Sequence, residues 1–121
     1  MKKIILVFIC LIGSFANAQT SKELIGNWQL VKWVKNGAEK DIVSYYKTDQ
    51  VFQFFQEDHK FNSVIGDAVH KGKWKLSDDN TELTIDSKIV EAKFKIEYFD
   101  MQRRVISNPE LGTFEYKRVV E

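Results

Sequence analysis

The stretch Gly26-Asn27-Trp28-Gln29-Leu30-Val31-Lys32-Trp33-Val34 decides how the rest of the chain is read. Gly26 lets the backbone bend sharply, and the residues after it form a first strand from Asn27 to Lys35. Ahead of it, Thr20-Ser21-Lys22-Glu23-Leu24-Ile25 reads as a helical turn, with Thr20 or Ser21 as the cap and Glu23 three residues after Thr20, as in a capping box. Behind it, Asn36-Gly37 is a strong turn dipeptide, yet the residues after it do not read as an immediate partner strand. From Ala38 to Asp49, Ile42, Val43, Tyr45 and Tyr46 are scattered among charges. A connection of that length inside a compact domain is usually functional or mobile.

Short strands then succeed one another at hairpin spacing. The second is Gln50 to Gln56, aromatic on both faces, and Glu57-Asp58 turns it into the third, His59 to Ile65. The fourth, Val69 to Leu76, sets Lys71, Lys73 and Lys75 against Gly72, Trp74 and Leu76, the alternation of a half-buried strand. Thr81 to Asp86 is the fifth. In the sixth, Ile89 to Phe99, Val90, Ala92, Phe94, Ile96 and Tyr98 alternate with Glu91, Lys93, Lys95 and Glu97. Gln102 to Ser107 and Thr113 to Val119 complete a run of eight, separated by Asn108-Pro109-Glu110-Leu111-Gly112. Eight sequential strands with no sizeable helix between them argue for an antiparallel meander, and closing it into a barrel removes its exposed edges.

Gly26, Trp28 and, in the last strand, Arg118 resemble the signature of lipocalin-like, calycin-type β-barrels. The resemblance implies an all-β, eight-stranded up-and-down barrel whose long first connection folds over the open mouth. In such a barrel the end of the eighth strand lies beside the start of the first, so Arg118 is expected next to Trp28, its planar head across the indole.

The first residues carry a different message. Lys2 and Lys3, the apolar run Ile4 to Ile12 and Ala16-Asn17-Ala18 have the pattern of a signal peptide cleaved after Ala18. The apolar run falls short of the roughly 20 residues that span a bilayer. Val7, Phe8 and Ile9, bulky residues ahead of Cys10, argue against lipoprotein processing there. The expected layout is therefore a leader over 1–18 and one barrel domain over 19–121, exported to the periplasm or beyond. That domain has no cysteine, no disulfide and no membrane-spanning segment. Removing Lys2 and Lys3 from 18 basic residues leaves 16 against 17 Asp plus Glu, a formal charge of −1, which excludes the basic footprint of a nucleic-acid binder.

An eight-stranded barrel is just wide enough to be filled by its own side chains or to enclose one small ligand. Phe61, Trp74, Phe94, Phe114 and Tyr116 are read as inward, with Phe52 or Phe54 and Trp33 nearer the mouth. One reading is a collapsed aromatic core, the other an apolar pocket with Ser63, Tyr98 and Tyr116 as polar handles for a small apolar or amphipathic molecule. Tyr45 and Tyr46 are lid residues or loop aromatics packed on the rim. His59 and His70 lack a third and fourth neighbour for a metal, and Asp78-Asp79-Asn80 has turn chemistry rather than calcium-loop spacing. No Gly-x-Ser-x-Gly elbow or inward carboxylate pair suggests catalysis, and no cofactor is expected. The lysines of the fourth and sixth strands are interrupted by Glu91 and Glu97, as on a solvated exterior. The leading expectation is binding of a small apolar or amphipathic ligand without catalysis, its main rival a protein-interaction or structural module of the cell envelope, and a barrel enzyme comes third, on fold analogy alone.

Overall fold

Gly26 carries the chain from a one-turn helix, α1 (Ser21–Leu24), into the first strand, β1 (Gly26–Lys35), at φ +138°, a conformation that side-chain-bearing residues rarely adopt. A Cβ at this position would stand 2.5 Å from Nη1 of Arg118, so a side chain here would also displace that guanidinium. The computed structural model describes residues 21–87 and 91–119. The signal-peptide reading, Thr20 as a cap, and Ile89 and Val90 of the expected sixth strand lie outside them.

Asn36 and Gly37 both take positive φ, 55° and 79°, and close a hairpin onto a three-residue strand, β2 (Ala38–Lys40), with Lys35 opposite Ala38. This corrects the reading that the turn has no immediate partner strand after it. All three β2 residues are exposed, so no hydrophobic alternation marks them. The same connection holds a second short helix, α2 (Ile42–Tyr46), also unforeseen. Asp41 caps it by accepting hydrogen bonds from the Val43 and Ser44 N–H groups, and Lys47 ends it in the left-handed conformation.

The remaining strands are β3 (Val51–Phe55), β4 (Lys60–Ile65), β5 (Ala68–Leu76), β6 (Glu82–Ser87), β7 (Glu91–Phe99), β8 (Arg103–Asn108) and β9 (Gly112–Arg118). Each pairs antiparallel with the next, β3 pairs with the lower half of β1, and β9 pairs back onto β1. The result is a closed antiparallel barrel of eight long strands, with β2 as a lip on the upper half of β1.

Two bulges set which side chains enter the interior. Between β9 and β1 the register steps from Glu115↔Lys32 to Tyr116↔Leu30, leaving Val31 unmatched and exposed. Between β7 and β8 it steps from Ile96↔Ile106 to Tyr98↔Val105, so Phe99 rather than Tyr98 turns inward. Strict alternation along β7 therefore fails at its lower end. Cross-strand partners share a face. From Trp28 the inner face continues through Gln53, Ser63 and His70, and from Phe55 through Phe61 and Gly72.

Candidate functional site

The barrel has one sealed end. Trp28 is completely buried, and its Nε1 donates to the Leu24 carbonyl at 2.9 Å, tying β1 to α1. The Arg118 guanidinium lies 4.3 Å from the Trp28 ring centroid, as its place at the end of β9 implies. Its nitrogens donate to three backbone carbonyls: Nε to Met101 at 2.6 Å, Nη1 to Ile25 at 3.1 Å and Nη2 to Glu23 at 2.5 Å. One side chain thus joins α1, the start of β1 and the β7–β8 turn.

Just above this floor sits a second arginine, one that the sequence does not single out. Arg104 is 0% exposed and points into the barrel from β8. Its guanidinium is 4.5 Å from the Tyr116 ring centroid, 4.8 Å from that of Phe55 and 5.0 Å from that of Trp28. Nη2 donates to Oε1 of Gln53 at 2.6 Å, whereas Nε and Nη1 are buried without a hydrogen-bond partner. The neighbouring Arg103 pairs with Glu115 at 2.7 Å, but on the outer surface, away from this group. Burial, with Arg118 adding a like charge, pulls the Arg104 pKa down to about 10, so the group stays cationic at neutral pH. Burial also pushes the Tyr116 phenol upward, and Tyr46 is near enough to reinforce that shift.

The other end carries an aromatic rim. Trp33 is held at the rim by stacking on Phe114 at 5.7 Å and 10° and by an Nε1 hydrogen bond to the Leu111 carbonyl at 2.8 Å. Tyr45 meets the Trp33 ring edge-on at 4.8 Å and remains largely exposed, while the half-buried Tyr46 lies 6.1 Å from it and packs on the core. α2 therefore places both tyrosines against the rim. At this end inward-facing Ser63, Ile65, His70, Ser87, Ala92 and Asn108 keep partial exposure, while Trp33 and Val51 are buried. Gln53, Ser63 and His70, directly opposite one another on β3, β4 and β5, make a polar row in the wall.

The residues named from sequence divide between wall, floor and exterior. Phe61 and Trp74 belong to a packed layer around Phe55, with ring centroids at 5.0 and 5.8 Å, and Trp74 donates from Nε1 to the Gln56 carbonyl. Phe94 and Phe114 meet edge-to-face at 6.0 Å in the wall, with Tyr116 one inward position below Phe114. Phe52 and Phe54 do not line the interior. They face outward, paired with Gln29 and Asn27, because Val51, Gln53 and Phe55 take the inner positions. Tyr98 is also outside: 45% exposed, it donates to Oδ2 of Asp100 at 2.6 Å under the Arg103 guanidinium. Gln53, Phe55, His70 and Arg104 are interior residues that sequence reasoning missed. The alternation Arg104-Val105-Ile106 is the available signal for Arg104, and it is overridden by the rule that an unpaired arginine is almost never fully buried.

Among the described residues no three His, Cys, Asp or Glu side chains converge as metal ligands, and no helix is long and apolar enough to cross a membrane.

Comparisons with known proteins agree with this architecture. Residues 24–102 match the model of the family described as lipocalin-like domain. No curated protein matches the chain. A lipocalin-like protein from Bacteroides uniformis is 18% identical, with a TM-score of 0.64 over 80% of this chain and 99% of that one. An uncharacterised protein from Bacteroides eggerthii is 17% identical, with a TM-score of 0.63 over 78% and 98%. These two show a shared fold. The family match spans well over half of the sequence, and with the closed barrel beneath it the chain belongs to the lipocalin-like domain family, a ligand-binding type of module.

Proposed function

We propose that this is an exported protein that holds a small amphipathic molecule in the open-ended cup of its barrel and performs no chemistry on it. The observation that carries this reading is the contrast along the barrel axis. Ser63, Ile65, His70, Ser87, Ala92 and Asn108 on the inner face of the upper wall keep partial exposure, whereas Trp28, Leu83, Arg104 and Ile106 at and near the floor have none. An apolar wall with a few polar groups is the usual character of a small-molecule site. Lys2, Lys3, the apolar run after them and Ala16-Asn17-Ala18 support export. Quenching of tryptophan fluorescence and native mass spectrometry against lipids, quinones and aromatics test the binding. At least one class should bind at one molecule per chain, and failure of every class overturns the reading. N-terminal sequencing of protein recovered outside the cytoplasm should begin at Gln19.

A second reading, a protein-interaction module of the envelope, draws on the outer face. Phe52, Val64 and Val69 stand opposite one another there across three strands, with Phe54 beside Phe52 at 6.3 Å. A stoichiometric protein partner from envelope extract, together with an empty barrel, would favour it.

A further inference from the structure

We infer that one outer wall of the barrel, the face formed by β3, β4 and β5, seats on an anionic lipid surface, its apolar residues at the headgroup boundary and its lysines on the phosphates. This stands on the exterior alone and is independent of whether the barrel holds a ligand.

Charge carries the first step. Across an antiparallel pair a lysine gains from a carboxylate directly opposite and loses from a second cation. Elsewhere on the exterior the pairing is complementary: Lys32 stands opposite Glu115, and Lys95 opposite Glu82. On β4 and β5 it is not. These two strands contain no acidic residue, and Lys60 stands opposite Lys73, with Lys71 and Lys75 on the same face of β5 to either side. Lys71 faces Asn62 and Lys75 faces Thr84. Asp86 lies across from Lys73 on β6, yet among the described residues the one ion pair is Arg103 with Glu115. Glu91 and Glu97 belong to β7, two strands away from β5. The four lysines therefore present positive charge that the protein leaves unmatched.

Apolar surface carries the second. Mouthward of the lysines on the same face, Phe52, Val64 and Val69 stand in one row, with Phe54 6.3 Å from Phe52. Val69 is 54% exposed. The face is convex, being the outside of a barrel, and its cations sit on long flexible stems. A folded partner would need a concave acidic surface to match it. A bilayer needs no such fit, because lysine stems lie along the apolar boundary while their heads reach the phosphates.

The experiment is sedimentation of the purified protein with vesicles of phosphatidylglycerol and phosphatidylcholine in equal parts, set against vesicles of phosphatidylcholine alone. Binding should require phosphatidylglycerol and fall as salt is raised. Each lysine near an anionic surface contributes about fivefold in affinity, so Lys60→Gln with Lys73→Gln should weaken binding about 25-fold. That variant removes a like-charge pair, so it should fold, and its unfolding midpoint checks this. Lys32→Gln with Lys95→Gln makes the same change in net charge away from the face and should leave binding as it was. Val69→Ser should weaken binding about threefold, and full affinity in that variant overturns the seating of the apolar row. Absence of sedimentation with phosphatidylglycerol overturns the proposal, as does equal binding to both kinds of vesicle. Equal loss in the two double variants reduces the attraction to net charge and overturns the assignment to this wall. A stoichiometric protein partner on the same face, with no vesicle binding, overturns it in favour of the second reading above.

Discussion

The foot of the barrel and the layer above it each hold an arginine against Trp28, and the two are in opposite situations. At the foot, Arg118 donates to Glu23, Ile25 and Met101, so the cation is fully engaged by backbone and the end is closed. One layer higher, Arg104 presses on the same ring but has a single polar partner, Gln53. The foot meets its cation with backbone carbonyls, whereas the layer above holds one with three aromatic rings and a single hydrogen-bond acceptor. The same residue type at the same ring sits in two environments, and hydrogen-bond satisfaction tells them apart.

The largest test of this contrast is Trp28→Ala, which removes the shared platform. It should cost about 3 to 5 kcal/mol in denaturant unfolding, and a cost near zero would show that the foot is not the keystone described. Arg118→Ala should lower stability by about 2 kcal/mol, through three lost charge-assisted hydrogen bonds and a cation–π contact. Arg104→Met should move stability the other way, neutral or up by about 1 kcal/mol, because an apolar side chain of similar length replaces an under-satisfied buried charge. If Arg104→Met destabilises as much as Arg118→Ala, the two arginines are alike and the comparison collapses.

The parts of the molecule that are legible from sequence respect the same division. Gly26, Trp28 and Arg118 can be read because they resemble the family signature, and strand polarity in a closed barrel then sets the late cation beside the early indole. Strand limits come within two residues wherever the described residues test them, since each is bounded by turn chemistry. The interior is less legible. Val51-Phe52-Gln53-Phe54-Phe55 has bulky apolar residues on both faces, so periodicity cannot say which side is in, and the glutamine wins an inner place through Arg104. In β7 the bulge after Ile96 reverses the phase for the last residues, an event with no mark in the sequence. Tyr98→Ser therefore sharpens the map of the cup: it should leave both the unfolding midpoint and ligand affinity unchanged. Lost affinity would put Tyr98 back in the site.

The smallest expected effect is at the lip. The Ser44 backbone N–H, then its hydroxyl, hold the Asp41 carboxyl below its ordinary value of 3.8. A carboxyl depressed in the folded state contributes stability above its unfolded pKa and loses it as pH falls through the lower folded value. Amide exchange at Val43 and Ser44, corrected for the intrinsic pH dependence of exchange, should accelerate on acidification below 3.8. Asp41→Asn should show faster exchange at neutral pH with global stability untouched. Identical exchange in both proteins would show that the cap does not hold α2 in place.

The clamp between Arg118 and Glu23 spans 95 positions of the chain, which has a consequence in time. The cylinder has no complete seam until its final strand is available, so the upper part of β1 keeps a bare edge until β9 has been made. Contacts this distant in sequence also slow the search for the native arrangement. A chain of this design must join its first and last strands before a neighbouring copy offers an edge of its own.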